Sequence, residues 1–97
     1  MALNIIWSKT AIKGYGKILR YLDDNWTKKE IENFEAGIKE FFTTLSTQPY
    51  VFQESKKKGI RKGPVNKLTI ITYRVDKNKK EIQILTIRSA REKPLRL

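Results

Sequence analysis

Lysine and arginine are the side chains of this sequence that are best suited to act on a ligand. The sequence has no cysteine and no histidine, which removes the thiol nucleophile, the thiolate metal site and the commonest general acid–base residue. Lysine and arginine donate hydrogen bonds to phosphate oxygens, and arginine can do so through a bidentate fork. A lysine can also act as a base, but only where burial or neighbouring cations lower its pKa.

These basic residues are concentrated in the second half of the chain. Residues 1–54 carry seven Lys/Arg and seven Asp/Glu, so the whole net charge of +11 lies in residues 55–97. The candidate binding residues there are Lys56, Lys57, Lys58, Arg61, Lys62, Lys67, Arg74, Arg88 and Arg91. Such a field attracts polyanions or an acidic protein that masks it. The alternative is a solubilising surface, which would not require this segregation.

Length and composition indicate one domain over residues 1–97. The 97 residues, 39% of them hydrophobic, are enough to form a modest core without disulfides. The lack of cysteine fits a reducing compartment. No stretch approaches the roughly 18 apolar residues of a membrane span, and residues 1–7 are too short and lack the basic flank of a secretion signal. We therefore expect a cytoplasmic protein with no membrane role, no cofactor and no metal.

A strand and a helix are predicted at the start of the chain. Residues 3–7 form a short apolar run, and Ser8 can cap the helix that follows. Gly14 and Gly16 interrupt this helix at a cost of about 1 kcal/mol each, so close packing against a neighbouring element is predicted for both. The apolar face consists of Ala11, Tyr15, Ile18 and Leu22.

The second helix has the clearer start signal. Thr27 and Glu30 have the spacing of a capping box, and the helix is predicted to end within residues 46–49. Its apolar face repeats at three- and four-residue spacing through Ile31, Phe34, Ile38, Phe41, Phe42 and Leu45. The two helices are expected to form an antiparallel hairpin that covers one face of a sheet.

Three strands are predicted after Pro49, over residues 60–64, 68–75 and 81–88, with a turn at 76–80. In the middle one of these strands, alternation places Ile71, Tyr73 and Val75 on the core side. The opposite side receives Ile70, Thr72 and Arg74. The sequence therefore predicts an α+β fold in the order strand, two helices, three strands.

This order resembles that of the RelE/ParE toxins, and several segments add to the likeness. Residues 59–63 and Lys67 look like the basic strand of that superfamily, and residues 70–75 (IITYRV) resemble its next strand. Residues 82–85 resemble the last core strand, and residues 91–94 (REKP) resemble the C-terminal ending. The likeness covers nearly the whole chain.

The resemblance implies the toxin of a type II toxin–antitoxin pair, with a two-helix hairpin packed on one face of a mostly antiparallel sheet. The partner would be a cognate antitoxin with an acidic or amphipathic segment. RelE-like members cleave mRNA on the ribosome without a metal, whereas ParE-like members poison DNA gyrase. The branches share one fold, so the fold cannot choose between them.

By resemblance, Arg61, Lys62 and Arg91 match the catalytic cations of RelE-like enzymes. The predicted substrate-binding residues are Lys56, Lys57, Lys58, Lys67, Arg74 and Arg88. Two positions depart from the RelE pattern, since Ile70 replaces an arginine and Leu97 replaces a tyrosine. The first expectation is a ribosome-dependent mRNA endonuclease. The alternatives are a gyrase inhibitor and a non-toxic, basic nucleic-acid-binding domain.

Simpler structural roles compete with these assignments. Arg61 and Lys62 point to opposite faces if their strand is regular, and residues 56–58 can form a solvated loop. Arg74 can pair with Glu81 across the hairpin. A working RNA site requires the cations that follow Ser55 to converge on the side of the sheet that the helices leave bare.

Overall fold

The computed structural model describes residues 3–65 and 69–89, which contain two helices and four strands. The elements are β1 (Asn4–Trp7), α1 (Lys9–Asn25), α2 (Lys28–Thr47), β2 (Ile60–Pro64), β3 (Thr69–Asp76) and β4 (Glu81–Ser89). This order confirms the predicted α+β class, and every boundary that was predicted lies within two residues of its observed position. Neither helix is long and apolar enough to cross a bilayer.

Helix α1 begins at a cap that also ties it to the sheet. The Ser8 hydroxyl accepts a hydrogen bond from the Ala11 N–H at 3.0 Å, as an N-cap does. The same hydroxyl donates to the Leu85 carbonyl at 2.8 Å, and the Ser8 N–H donates to the Ile84 carbonyl at 3.0 Å. One serine therefore fixes both the start of the helix and its position on β4.

Helix α2 begins with the predicted capping box. The Thr27 hydroxyl accepts from the Glu30 N–H at 3.2 Å, and the Glu30 carboxylate accepts from the Thr27 N–H at 3.0 Å. This exchange satisfies two N–H groups, and replacing such a cap typically costs about 1 kcal/mol. The helix continues to Thr47, where Gln48 forms the C-cap.

The four strands form one sheet in the order β1-β4-β3-β2. Strand β1 is parallel to β4, and the other two pairings are antiparallel. The register of β3 and β4 shifts where Thr72 faces Thr86 and Tyr73 faces Ile84. Leu85 is therefore the extra residue of a β-bulge in β4.

The core lies between the helices and one face of the sheet. Its fully buried sheet residues include Ile71 and Tyr73, as alternation predicted. The helices contribute Ala11, Ile18, Leu22, Phe34, Ile38, Phe41 and Leu45, and β4 contributes Ile82, Ile84 and Ile87. Within the described residues no element covers the opposite face, which we call the bare face. It carries Asn4, Ile6, Ile60, Lys62, Pro64, Ile70, Thr72, Arg74, Asp76, Glu81, Gln83, Thr86 and Arg88.

The two glycines of α1 differ in their surroundings. A Cβ atom built on Gly14 would overlap the carbonyl oxygen of Ile87 in β4, so the helix backbone rests directly on the strand. A Cβ atom on Gly16 would meet nothing within 4 Å. The predicted close packing is therefore confirmed for Gly14 and wrong for Gly16.

Candidate functional site

Strand register places three of the predicted site residues, Lys62, Arg74 and Arg88, on the bare face. Lys62 is paired with Thr72, which in turn is paired with Thr86, so these three side chains form a row across the sheet. Arg88 pairs with Ile70 in the adjacent row. All three cations are exposed. The face therefore presents cationic and hydroxyl donors, which are suited to binding anions.

Arg74 is held on this face by its cross-strand partner. Its Nε and one terminal nitrogen donate to the Gln83 side-chain oxygen, at 3.1 and 2.5 Å. The Gln83 amide nitrogen donates in turn to the Glu81 carboxylate at 3.2 Å. The expected contact between Arg74 and Glu81 is therefore relayed by Gln83.

Arg61 lies on the other side of the sheet. It is paired with the buried Tyr73, so its side chain shares the helix-facing side, whereas that of Lys62 does not. Its guanidinium donates to the Phe52 carbonyl at 2.7 Å, and its Cζ lies 4.8 Å from the centroid of the Tyr50 ring. The opposite orientations of Arg61 and Lys62 agree with alternation. The structure does not bring the two together, and the expected convergence of Arg61 on the bare face is not observed.

The partners of Arg61 belong to residues 48–53, which we call the Tyr50 loop. The Tyr73 hydroxyl donates to the Pro49 carbonyl at 3.0 Å. The Phe52 ring stacks on Phe41 with centroids 5.3 Å apart and lies against Gly63, where an added Cβ would be 2.6 Å from the ring. No role was predicted for this loop from the sequence, although the large apolar residues after Pro49 are a signal that could have found it.

The three lysines at 56–58 lie on a closed turn. The Ser55 hydroxyl accepts from the Lys57 N–H at 3.2 Å, and the Ser55 N–H donates to the Ile60 carbonyl at 2.7 Å. The Glu54 carboxylate accepts from the N–H of Gly59, whose φ of +83° favours glycine. We call residues 54–60 the lysine turn. Its exposed lysines are therefore carried by a hydrogen-bonded backbone.

Lys67 and Arg91 lie outside the described residues, and their assigned roles stay predictions.

The carboxylates on the bare face, Asp76 and Glu81, lie beside the β3–β4 turn, at the far end from Arg88. In the ranges 3–65 and 69–89, no cluster of three His, Cys, Asp or Glu side chains is placed to hold a metal.

Two tyrosines, the fully buried Tyr73 and the partly buried Tyr15, have raised pKa values. Burial raises the pKa of Tyr73, and the nearby Arg61 cation partly opposes that increase. Burial also raises the pKa of Tyr15, with a further contribution from the Glu35 carboxylate. Both phenols are core groups, and neither lies on the bare face.

Similar folds occur in solved toxin–antitoxin systems. A chromosomal ParDE system from P. aeruginosa superimposes with a TM-score of 0.73 at 20% identity, over 91% of this chain and 96% of that one. The RelBE2 complex of Mycobacterium tuberculosis gives 0.66 at 18% identity, over 92% and 99%. The intact E. coli RelBE complex gives 0.61 at 14% identity, over 94% and 100%. At these identities the likeness concerns the fold.

No curated protein is significantly similar in sequence. A family model described as the ParE toxin of type II toxin–antitoxin systems, parDE, matches residues 5–94. The match includes both helices, all four described strands and the lysine turn, apart from the first residue of β1. Together with the fold, it confirms the resemblance to the RelE/ParE superfamily. The chain belongs to the ParE toxin family of type II toxin–antitoxin systems.

Proposed function

We propose that this toxin acts by binding DNA gyrase, the activity that the resemblance assigns to the ParE branch. The observation that carries the proposal is the position of Arg61. By resemblance, Arg61 would be one of the catalytic cations of an RNA-cleaving site, whereas its guanidinium binds the Phe52 carbonyl on the helix side. The replacement of an arginine by Ile70 removes a second cation from the same site.

Inhibition by binding needs a surface and no general base. The exposed cations and the Tyr50 loop provide such a surface. The matching ParE family model supports the same branch. Gyrase acts in the cytoplasm, which is where we expect this toxin to act.

A second candidate is ribosome-dependent cleavage of mRNA. It is favoured by the row of Lys62, Thr72 and Thr86 on the bare face, with Arg88 in the next row. Such a set can bind phosphate and stabilise charge that develops on it. In this case the ribosome and mRNA replace gyrase as partners.

With either target, we propose that a cognate antitoxin keeps the toxin inactive. An acidic or amphipathic antitoxin segment complements the excess of positive charge in residues 55–97. Three solved structures with a similar fold are toxin–antitoxin complexes.

Two parallel measurements test the proposal. Purified toxin is added to gyrase and relaxed plasmid, and transcripts from cells that express the toxin are mapped by primer extension. We expect inhibited supercoiling and intact messages. Cuts within codons together with normal supercoiling at toxin excess would instead establish the RNA candidate. Harmless expression without an antitoxin, with both readouts unchanged, would favour a non-toxic nucleic-acid-binding domain.

A further inference from the structure

The Tyr50 loop exposes two apolar side chains on a fixed backbone. Tyr50 and Val51 are each 48% exposed, although they follow one another on a short segment. The segment is held on both sides, by the Tyr73 hydroxyl at Pro49 and by the Arg61 guanidinium at Phe52. An anchored loop loses little conformational freedom when a partner binds, which favours affinity.

Two cations flank the exposed tyrosine ring. Arg61 Cζ lies 4.8 Å from the ring centroid and Lys77 Nζ lies 5.6 Å from it, both within the range of a cation–π contact. Tyrosine and arginine are the residue types enriched among the side chains that dominate protein–protein affinity. We call Tyr50, Val51, Arg61 and Lys77 the Tyr50 patch.

The surroundings of the patch are strongly basic. Ile60 pairs with Arg74 and Glu81 pairs with Asp76, so the lysine turn and the β3–β4 turn lie at the same end of the sheet. This end carries Lys56, Lys57, Lys58, Lys77, Lys79 and Lys80.

The carboxylates at this end already have local partners. Glu54 accepts from the Gly59 N–H, Asp76 accepts from the Lys79 N–H at 3.0 Å, and Glu81 accepts from Gln83. The lysine ammonium groups are exposed around them. The end of the sheet therefore complements a negatively charged partner.

We propose that the Tyr50 patch binds an acidic protein segment that also carries an apolar side chain, and that the toxin meets its target protein there. The inference deepens the proposed function, because the target named above is gyrase. The choice of a protein partner follows from Val51. A nucleic acid would use the cations and the ring, but it would leave this apolar side chain in water.

The closing experiment compares three variants of the full chain, each with a single substitution. Tyr50→Ala removes the ring, and Val51→Asp places a negative charge where the acidic segment would lie. Tyr21→Ala is the matched control, because Tyr21 is 50% exposed on α1. Circular dichroism and thermal melting select variants that fold as the wild type does.

For folded variants we expect gyrase inhibition to weaken about tenfold or more with Tyr50→Ala and with Val51→Asp. Tyr21→Ala should stay within about twofold of wild type. Equal inhibition by all three variants would overturn the proposed surface and leave the proposed function intact.

If the wild-type chain does not inhibit gyrase, growth arrest on induction still tests the Tyr50 patch separately from the proposed target. In that outcome gyrase is not the target. Relief of arrest by Tyr50→Ala and Val51→Asp, but not by Tyr21→Ala, would still support the surface, whereas unchanged arrest would overturn it. A matching loss of affinity for a single-stranded oligonucleotide would identify a nucleic-acid surface and overturn the protein-binding proposal.

Discussion

Tyr73 has two structural tasks, because its ring is fully buried in the core and its hydroxyl holds the Pro49 carbonyl. Burial raises the pKa of this phenol, so the folded chain holds the proton more tightly than the unfolded chain, whose tyrosines titrate near pH 10. Above about pH 10 the unfolded state loses its proton first. Stability must then fall as the pH rises.

The change Tyr73→Phe should lower the free energy of unfolding by about 1 kcal/mol at neutral pH, because the bond to Pro49 is lost. It should also make the alkaline loss of stability shallower. Some slope will remain, since burial raises the pKa of Tyr15 as well. Urea unfolding measured from about pH 7 to about pH 11 checks both effects. Tyr21→Phe is the exposed control, and an equal change there would contradict the argument.

Arg61 and Lys62 are adjacent but should respond differently to substitution. Arg61→Lys keeps the charge and loses the planar fork that contacts Phe52 and Tyr50, so we expect a loss of about 1 kcal/mol in stability. Lys62 is exposed, so Lys62→Gln should change the free energy of unfolding by less than about 0.5 kcal/mol. Chemical denaturation of both variants makes the comparison. Equal effects would show that Arg61 does not anchor the Tyr50 loop.

Helix α1 rests directly on β4, and Gly14 allows this close approach because it has no side chain. Gly14→Ala would force its Cβ into the Ile87 carbonyl, a backbone atom that cannot rotate away, and we expect destabilisation of about 3 kcal/mol or failure to fold. Gly16→Ala meets open space and should stabilise the helix by about 0.5–1 kcal/mol. Thermal melting of both variants distinguishes them, and similar effects would refute the close approach.

The sequence was sufficient to predict the elements because their signals are local. The capping box at Thr27 and Glu30 and the alternation around Ile71 and Tyr73 involve residues a few positions apart. The difference between Gly14 and Gly16 depends on a carbonyl in β4, which no local pattern reveals.

The candidate site was predictable only in part, for the same reason. Alternation separates Arg61 from Lys62, and it correctly placed Arg74 opposite the core. It cannot reveal that the Phe52 carbonyl, nine residues before Arg61, accepts a hydrogen bond from that guanidinium. This contact depends on the folded path of the Tyr50 loop. Because it holds Arg61 on the helix side, it supports the proposal of inhibition by binding over that of RNA cleavage.

At the scale of the whole molecule, the cations among the described residues after Ser55 lie mainly on two surfaces. The bare face carries Lys62, Arg74 and Arg88. The end of the sheet that is formed by the lysine turn and the β3–β4 turn, which we call the basic end, carries the lysines of both turns. An acidic partner of the basic end should therefore associate more slowly as salt screens the charges.

Between about 50 and 500 mM NaCl we expect the association rate with gyrase to fall about tenfold or more, and the dissociation rate to change less. Replacing Lys56, Lys57 and Lys58 with glutamine should flatten this dependence, because the lysine turn supplies part of the field. Surface plasmon resonance measures both rates. A salt dependence that the triple variant leaves unchanged would exclude the lysine turn from the encounter.

The position of β4 has a consequence for how the protein is made. Residues 81–89 pair with β1 on one side and β3 on the other, and they support α1 through Ser8 and Gly14. Contacts between residues that are far apart in sequence, such as those of β1 and β4, form slowly, because a long loop must close first. During synthesis β4 is the last of the described elements to be made, so the sheet cannot be completed before residues 81–89 have left the ribosome.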